Sequence, residues 1–302
     1  MRCTAPTVSV VVPTRNRGVK ARDTIASLLG NDHKSFEVIV VDQSESDETE
    51  RCLSGFGRDE RYRYIRSTET GASRARNQGA AAARADILMF TDDDCVVPTN
   101  WISGLEEIIG HHPDLDAVFC RVEAAEGTPP DSYTPVFRPK TEIDIRRPRD
   151  KLAASAMSAG LAIRRSALEQ IGGFDSLLGP GSQFFTGEDY DLIMRLTLLG
   201  RAALATPDIA VIHHGWRDMD ATRRLLKGDW ISIGACYGKY FRARRWAAMP
   251  VLGHEVVAAV RRPLRDAVHW RRPRGVRQVL HLARGFASSL VLPIDRETLR
   301  FK

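Results

Sequence analysis

The sequence predicts an α/β fold, and three observations carry that expectation. Ile87 to Val97 reads ILMFTDDDCVV: an apolar run suited to a strand buried on both faces of a parallel sheet, then acids where such a strand would emerge. Valine-rich runs followed by polar turns and amphipathic stretches recur through the first half of the chain, the pattern of strand, turn and helix. At 302 residues the chain is long enough for one large domain with additions, or for two small domains.

Val8 to Val12 is the first strand, Pro13-Thr14-Arg15-Asn16-Arg17-Gly18 the turn after it, and the amphipathic stretch to Leu29 a helix. Glu37 to Val41 is the second strand and ends at Asp42, with capping residues for the next helix between Ser44 and Thr49. Tyr62 to Ile65 makes a weaker third strand, and Gly71 to Gly79 opens an alanine-rich helix with Ser73 as its cap. Beyond the aspartates, Trp101 to Gly110 reads as helix and Ala117 to Val122 as strand. Ala124 to Asp150 is proline-rich with little periodicity, and is expected to be a long loop that either closes over a substrate or joins two halves. Ser158 to Ile163 is strand-like, and Ser166 to Ile171 is a short helix stopped by Gly172-Gly173. Glu188-Asp189-Tyr190-Asp191 heads a helix over Leu192 to Leu199, and two short strands, Ala202 to Ala205 and Ala210 to Ile212, lead to His213.

Composition narrows the class. The cysteines at 3, 52, 95, 120 and 236 are odd in number and form no CxxC pair, which argues against a disulfide framework or a zinc site and for a reducing compartment. The valine run at the N-terminus is stopped by Pro13, too soon for a signal peptide. Trp246 to Val260 comes nearest to a membrane span, but it is short and carries His254 and Glu255. The expectation is a cytoplasmic protein.

The net charge of +6 is uneven. Residues 239–302 hold 15 Lys/Arg against 4 Asp/Glu, a net of +11 that leaves the preceding residues at −5. Val276, Val279, Leu280, Ala283, Phe286 and Ala287 fall on one side of a helical wheel, with Arg274, Arg277 and Arg284 on others. Such a tail fits a helix on an anionic membrane surface, placing the protein peripherally at the inner face. It equally fits a helix packed on the domain with its arginines in water; a nucleic-acid contact is not expected.

The carboxyl ends of strands are where ligands bind in open α/β sheets. Three adjacent carboxylates at Asp92, Asp93 and Asp94 repel one another unless a cation sits among them, and Mg²⁺-like cations share oxygen ligands with phosphates; a solvated acidic turn is the alternative. Asp42 stands where a carboxylate can accept hydrogen bonds from a ribose or base, although the GxGxxG fingerprint of dinucleotide sites is absent. Arg74 and Arg76 on the first turn of a helix oppose its dipole unless an anion such as phosphate lies close. The Glu188 and Asp189 carboxylates are either dipole-stabilised helix acids or hold a general base. His213, at a strand end, is a candidate further metal ligand.

Five stretches in this order resemble the family 2 glycosyltransferases: VSVVVPTRNR (8–17), EVIVVDQS (37–44), GASRARNQGAAAARADILMFTDDDC (71–95), SAGLAIRRSALEQIGGFD (158–175) and GEDYDLIMRL (187–196). The resemblance implies an inverting enzyme of the GT-A fold, with a Rossmann-like nucleotide-binding half joined to an acceptor-binding half over a mixed central sheet. The halves would span 1–123 and 124–218, with 219–302 a basic helical C-terminal region. It further implies that Pro13, Thr14 and Arg15 line the nucleotide site and that Asp42 meets the base or ribose. Asp92 and Asp94 would form the Asp-x-Asp motif, Asp94 binding Mn²⁺ or Mg²⁺ with His213 close by, and Asp189 would be the base. The chain departs from the family at Gln43 and Cys95, where acids are common, and the extra Asp93 blurs which acids touch metal.

The expected reaction is metal-dependent transfer of a sugar from a nucleotide diphosphate sugar to a hydroxyl of a carbohydrate or lipid-linked acceptor. Nucleotidyl transfer is a rival, weakened by the absence of a Walker-type loop. A non-catalytic nucleotide- or carbohydrate-binding module is a third reading.

Overall fold

A computed structural model describes residues 5–268 and 276–302, with side chains through residue 261 and from 276 onward. Cys3 and Arg274 lie outside the described residues. The elements run β1 (Val8–Thr14), α1 (Gly18–Leu29), β2 (Phe36–Asp42), α2 (Glu48–Leu53), β3 (Tyr62–Arg66), α3 (Ala72–Ala82), β4 (Ile87–Phe90), β5 (Cys95–Val96), α4 (Trp101–His111) and β6 (Ala117–Ala124). There follow β7 (Ile143–Ile145), β8 (Leu161–Arg164), α5 (Arg165–Gln170), α6 (Glu188–Leu198), β9 (Ala203–His213), α7 (Met219–Arg242), α8 (Met249–Val268) and α9 (Val276–Ser289).

One sheet of nine strands carries the fold, in the order β3-β2-β1-β4-β8-β6-β9-β5, with β7 also paired to β9. β1, β2, β3 and β4 are mutually parallel, whereas β8 runs antiparallel to both β4 and β6. The sheet is therefore mixed. Every residue of β1 and β2 is buried, as their largely apolar sequences require once helices cover both faces, and the buried Ser9 and Glu37 pair with each other at 2.7 Å. Alternate residues of β2 divide between those faces: Val38 and Val40 join the main core with Ala21, Ile25 and Leu28 of α1, while Ile39 and Val41 pack with Ala75 of α3. Gly79 of α3 stands where the helix presses on β1, because a Cβ there would collide with Val11.

Three local expectations give way. The two strands anticipated around residues 202–212 are one strand, β9, which absorbs extra residues around Pro207 as a bulge opposite Cys120 and Arg121. The proline-rich stretch is tied down rather than free: Phe137 pairs with Val122, Tyr133 with Arg217, and β7 with β9. Such pairings depend on partners distant in sequence, so local periodicity could not announce them. Ser158–Gly160 forms a 3₁₀ turn, and the strand begins only at Leu161.

A second core joins α6, α7, α8 and the C-terminal residues, with α6 shared between the two: Leu192 and Leu196 face the sheet, Tyr190 and Met194 face α7. At its centre lies a fully buried charge network. Lys239 Nζ donates to Asp175 at 2.7 Å and Asp191 at 2.6 Å, Arg195 donates to Asp191 at 2.6 Å, and the Phe301 N–H donates to Asp175 at 2.8 Å. α9 lies close against α7, because Gly234 and Gly285 bring backbone to backbone and a Cβ at either would strike the other helix's carbonyl. No helix among the described residues is long and apolar enough to cross a membrane.

Candidate active site

The end of β4 delivers Asp92, Asp93 and Asp94 into a cavity of about 680 Å³. Pro13, Thr14, Arg15 and Arg17 from the end of β1, Gln43 from the end of β2 and Arg76 from α3 form one wall. Met157, Glu188, Asp189 and Tyr190 form the opposite one, and His213, from the end of β9, lies beside Asp94. Of the candidate residues singled out from sequence, Arg74 and Asp42 do not line this cavity; Arg74 faces Glu69 instead, at 3.8 Å, while Asp42 lies behind the wall. It is fully buried at the end of β2, where its carboxylate accepts from Tyr64 at 2.6 Å, from the backbone N–H of Ser44 at 2.8 Å and from the Ser44 hydroxyl.

The three aspartates occupy different electrostatic settings. Asp92 accepts from Arg76 at 2.7 Å. Asp93 accepts from Thr14 at 2.8 Å and from Arg17 at 3.0 Å, yet burial dominates and raises its pKa to about 6. Burial would raise Asp94 as well, but the hydrogen bond and charge of His213, with Arg17, outweigh it and hold the group at about 2. His213 Nε2 lies 3.2 Å from Asp94 Oδ1, and its Nδ1 lies 3.2 Å from the carbonyl of Pro135, which orients the ring. Burial lowers the His213 pKa less than Asp94 raises it, so the net shift is upward.

Asp94, Cys95 and His213 bring donor atoms within 4.8 Å of one another. Gly215 leaves the space beside them open: a Cβ there would sit 2.5 Å from Asp94 Oδ2 and 2.6 Å from His213 Nε2. A carboxylate and an imidazole suit a divalent cation, while burial pushes the Cys95 thiol well above its usual pKa and leaves it a poor ligand. The donors present fit such an ion.

Arg76 spans the cleft. Besides its bond to Asp92, its Nη1 lies 3.5 Å from Glu188 Oε1, and neither Nε nor Nη1 has a hydrogen-bond partner. Its wholly buried guanidinium stays charged because Asp92, Glu188 and Asp189 outweigh the desolvation. Glu188 is raised to about 7 by burial and then by the charge of Asp189. Asp189 is raised by burial, against the lowering by Arg76 and Ser158, and its Oδ1 is buried without a hydrogen-bond partner.

The cavity also holds residues outside those expected in the site. Arg17 bridges Asp93 and Asp94 at 3.0 Å each, and Gln43 clamps Gly71 through two 3.1 Å hydrogen bonds, Nε2 to the Gly71 carbonyl and the Gly71 N–H to Oε1. Tyr133, Lys151, Phe185, Arg217 and Asp229 also line the cavity. Arg17 and Gln43 carry a sequence signal, since both sit at the ends of strands whose tips line the site. Lys151 has none: it becomes a wall residue because it packs 3.6 Å from the Tyr190 ring, and burial lowers its pKa to about 8.

Comparison with solved structures places this architecture. The mannosyltransferase PcManGT from Pyrobaculum calidifontis, solved with GDP-Man and Mn²⁺, matches over 95% of this chain and 88% of its own, with a TM-score of 0.59 at 18% identity. S. aureus TarS 1-349 in complex with UDP matches over 75% of this chain and 65% of its own, with a TM-score of 0.56 at 16% identity. The mixed sheet, flanked by helices and with acids at the end of a central strand, is the GT-A fold of glycosyltransferases. The model of "Glycosyl transferase family 2" matches residues 9–172, and the chain belongs to that family. A relative called pre-mycofactocin glycosyltransferase, from Mycobacterium tuberculosis, is 30% identical over 239 residues, which is 76% of this chain and 46% of that protein. The chain thus spans a little under half the length of that relative.

Proposed function

We propose that the protein moves a sugar from a nucleoside diphosphate sugar to an acceptor hydroxyl in one displacement that inverts the anomeric centre. The observation that carries this reading is that Asp94 and Asp189, far apart in sequence, line one cavity, with an unpartnered carboxylate oxygen on Asp189. Asp94 and His213, with Asp92 at the same strand end, would hold Mn²⁺ or Mg²⁺, which when bound neutralises diphosphate charge and improves the leaving group. Pro13, Thr14, Arg15 and Asp93 form the donor wall. Arg76 offers two free nitrogens to an anion there.

Asp189 takes the proton of the acceptor hydroxyl as the oxygen attacks the anomeric carbon. The bond to the diphosphate oxygen breaks, and the nucleoside diphosphate departs. Glu188, held near neutrality by burial, keeps the local field from becoming too negative for the incoming donor. Asp42 acts from behind, fixing Ser44 and Tyr64 at the strand end where a nucleoside would lie. The acceptor is a carbohydrate or lipid-linked hydroxyl, and the setting a reducing one, in keeping with free Cys52, Cys95, Cys120 and Cys236.

Incubation of the purified protein with a panel of nucleotide sugars and Mn²⁺ tests the reading. Release of a nucleoside diphosphate supports it. Release of pyrophosphate would make the protein a nucleotidyltransferase, and binding without turnover in the presence of acceptors a non-catalytic module.

A further inference from the structure

α9 meets the domain along one side, and on the other it carries an apolar strip that no described residue covers. Leu282, Gly285 and Ser289 are buried toward α7. At 3.6 residues per turn, Val276, Leu280, Ala283 and Ala287 lie on the opposite side, and all four are exposed, Leu280 by 61%. Val291, just past the helix, continues that line and is 83% exposed. A contiguous exposed apolar strip, as opposed to scattered single residues, marks an interaction surface.

The surroundings identify the partner's chemistry. Arg277 and Arg284 stand exposed along one flank of the outer face. Along the other flank, Phe286 meets Phe241 at a ring distance of 5.8 Å, and Phe241 meets Trp246 at 5.4 Å. Both of these outer rings are about half exposed, and Arg244 and Arg245 adjoin them in sequence. No acid occurs from Val276 to Ile294. An apolar strip bordered by arginines on one side and exposed aromatics on the other complements an anionic lipid surface: apolar side chains enter the acyl boundary, aromatic rings sit at headgroup level and guanidinium groups meet phosphates. A second protein surface would need acids opposite these arginines, and this chain's own C-terminal region is poor in them.

We infer that the outer face of α9, together with Phe241 and Trp246, is a docking surface for an anionic membrane. The face is remote from the chemistry: Asp229 of α7 lines the cavity, and Phe241 lies about 18 Å further along the same helix. Docking therefore leaves the cleft free and does not rest on the proposed reaction.

Co-sedimentation of the full chain with vesicles tests the inference. Vesicles of phosphatidylcholine mixed equally with phosphatidylglycerol should bind the protein, and phosphatidylcholine alone should not. Arg277→Gln with Arg284→Gln should weaken binding by about twenty-five-fold, at roughly five-fold per arginine. Leu280→Gln and Trp246→Ala should each weaken it further, while the double Arg→Lys variant retains it. Thermal stability and Mn²⁺-dependent nucleotide binding should stay unchanged in every variant, separating this result from the fate of the proposed function. Equal binding to neutral vesicles, or wild-type binding by the glutamine variants, overturns the inference. So does a concentration-dependent dimer abolished by Leu280→Gln, which would make the face a contact between copies.

Discussion

Arg76 Nη1 and Glu188 Oε1 stand 3.5 Å apart, joining α3 of the first half of the fold to the first turn of α6 in the second. Through its 2.7 Å bond to Asp92, the same guanidinium links the acids at the end of β4 to those at the head of α6. Carboxylates of both walls are thus held to a common cation. Arg76→Gln is expected to weaken nucleotide binding by tenfold or more, as it removes a buried charge with free donors; titration calorimetry with Mn²⁺ and a nucleoside diphosphate would read this directly.

Asp189→Asn preserves volume and removes the base. Turnover should fall by about 10²- to 10⁴-fold with nucleotide affinity nearly intact, because only proton removal in the transition state is lost. Undiminished turnover in that variant would assign the base elsewhere.

Gly215→Ala adds one methyl group against Asp94 and His213, at 2.5 and 2.6 Å, while leaving every donor in place. Mn²⁺-dependent nucleotide binding should be lost or severely weakened, as in Asp94→Ala, with little change in thermal stability. Metal-free binding, measured in chelator, should be the same in both variants and wild type.

The pH dependence follows from Glu188, whose folded-state pKa is about 7 against 4.5 ordinarily. The folded state holds this proton more tightly than the unfolded one, so the stabilisation is complete below about pH 4.5 and is lost as pH rises through 7. In metal-free protein, Glu188→Gln should therefore melt progressively higher than wild type as pH rises from 5 to 8. Activity should move oppositely, since the Asp189 pKa is also raised and the base must be ionised: kcat/KM is expected to climb with pH over the acidic range.

Lys239→Met leaves Asp175 and Asp191 buried without their shared cation. Removing one partner of a buried ion network costs about 3–5 kcal/mol, which urea denaturation would detect.

The GT-A class and the family were legible because their signals are local. An apolar run ending in acids, as at Ile87–Asp94, encodes both a strand and the chemistry at its tip. The antiparallel insertion of β8 between β4 and β6 was not derivable from periodicity, since an apolar strand reads alike in either direction. The resemblance supplied the mixed sheet instead. Gly215 was hidden because its role is to contribute no side chain beside two others. For α9, the wheel of Val276, Val279, Leu280, Ala283, Phe286 and Ala287 is legible in the sequence, but an apolar helix face normally turns inward, and here only Val279 and Phe286 at its edge are half-buried. Only the glycine seam with α7 reveals that the inward side is a different one.

The single sheet that crosses both halves has a mechanical corollary. β8 and β6 hydrogen-bond strands on either side of the cleft's floor, so the two halves cannot swing about a hinge without tearing a ladder of backbone bonds. Shape change on engaging a substrate must come from segments pinned at only a few points. The stretch from Tyr133 to Met157, which supplies part of the cavity wall, joins the sheet only through β7 and two isolated bridges. Tolerance for different acceptors would then evolve by editing this segment, with the rigid platform beneath left untouched.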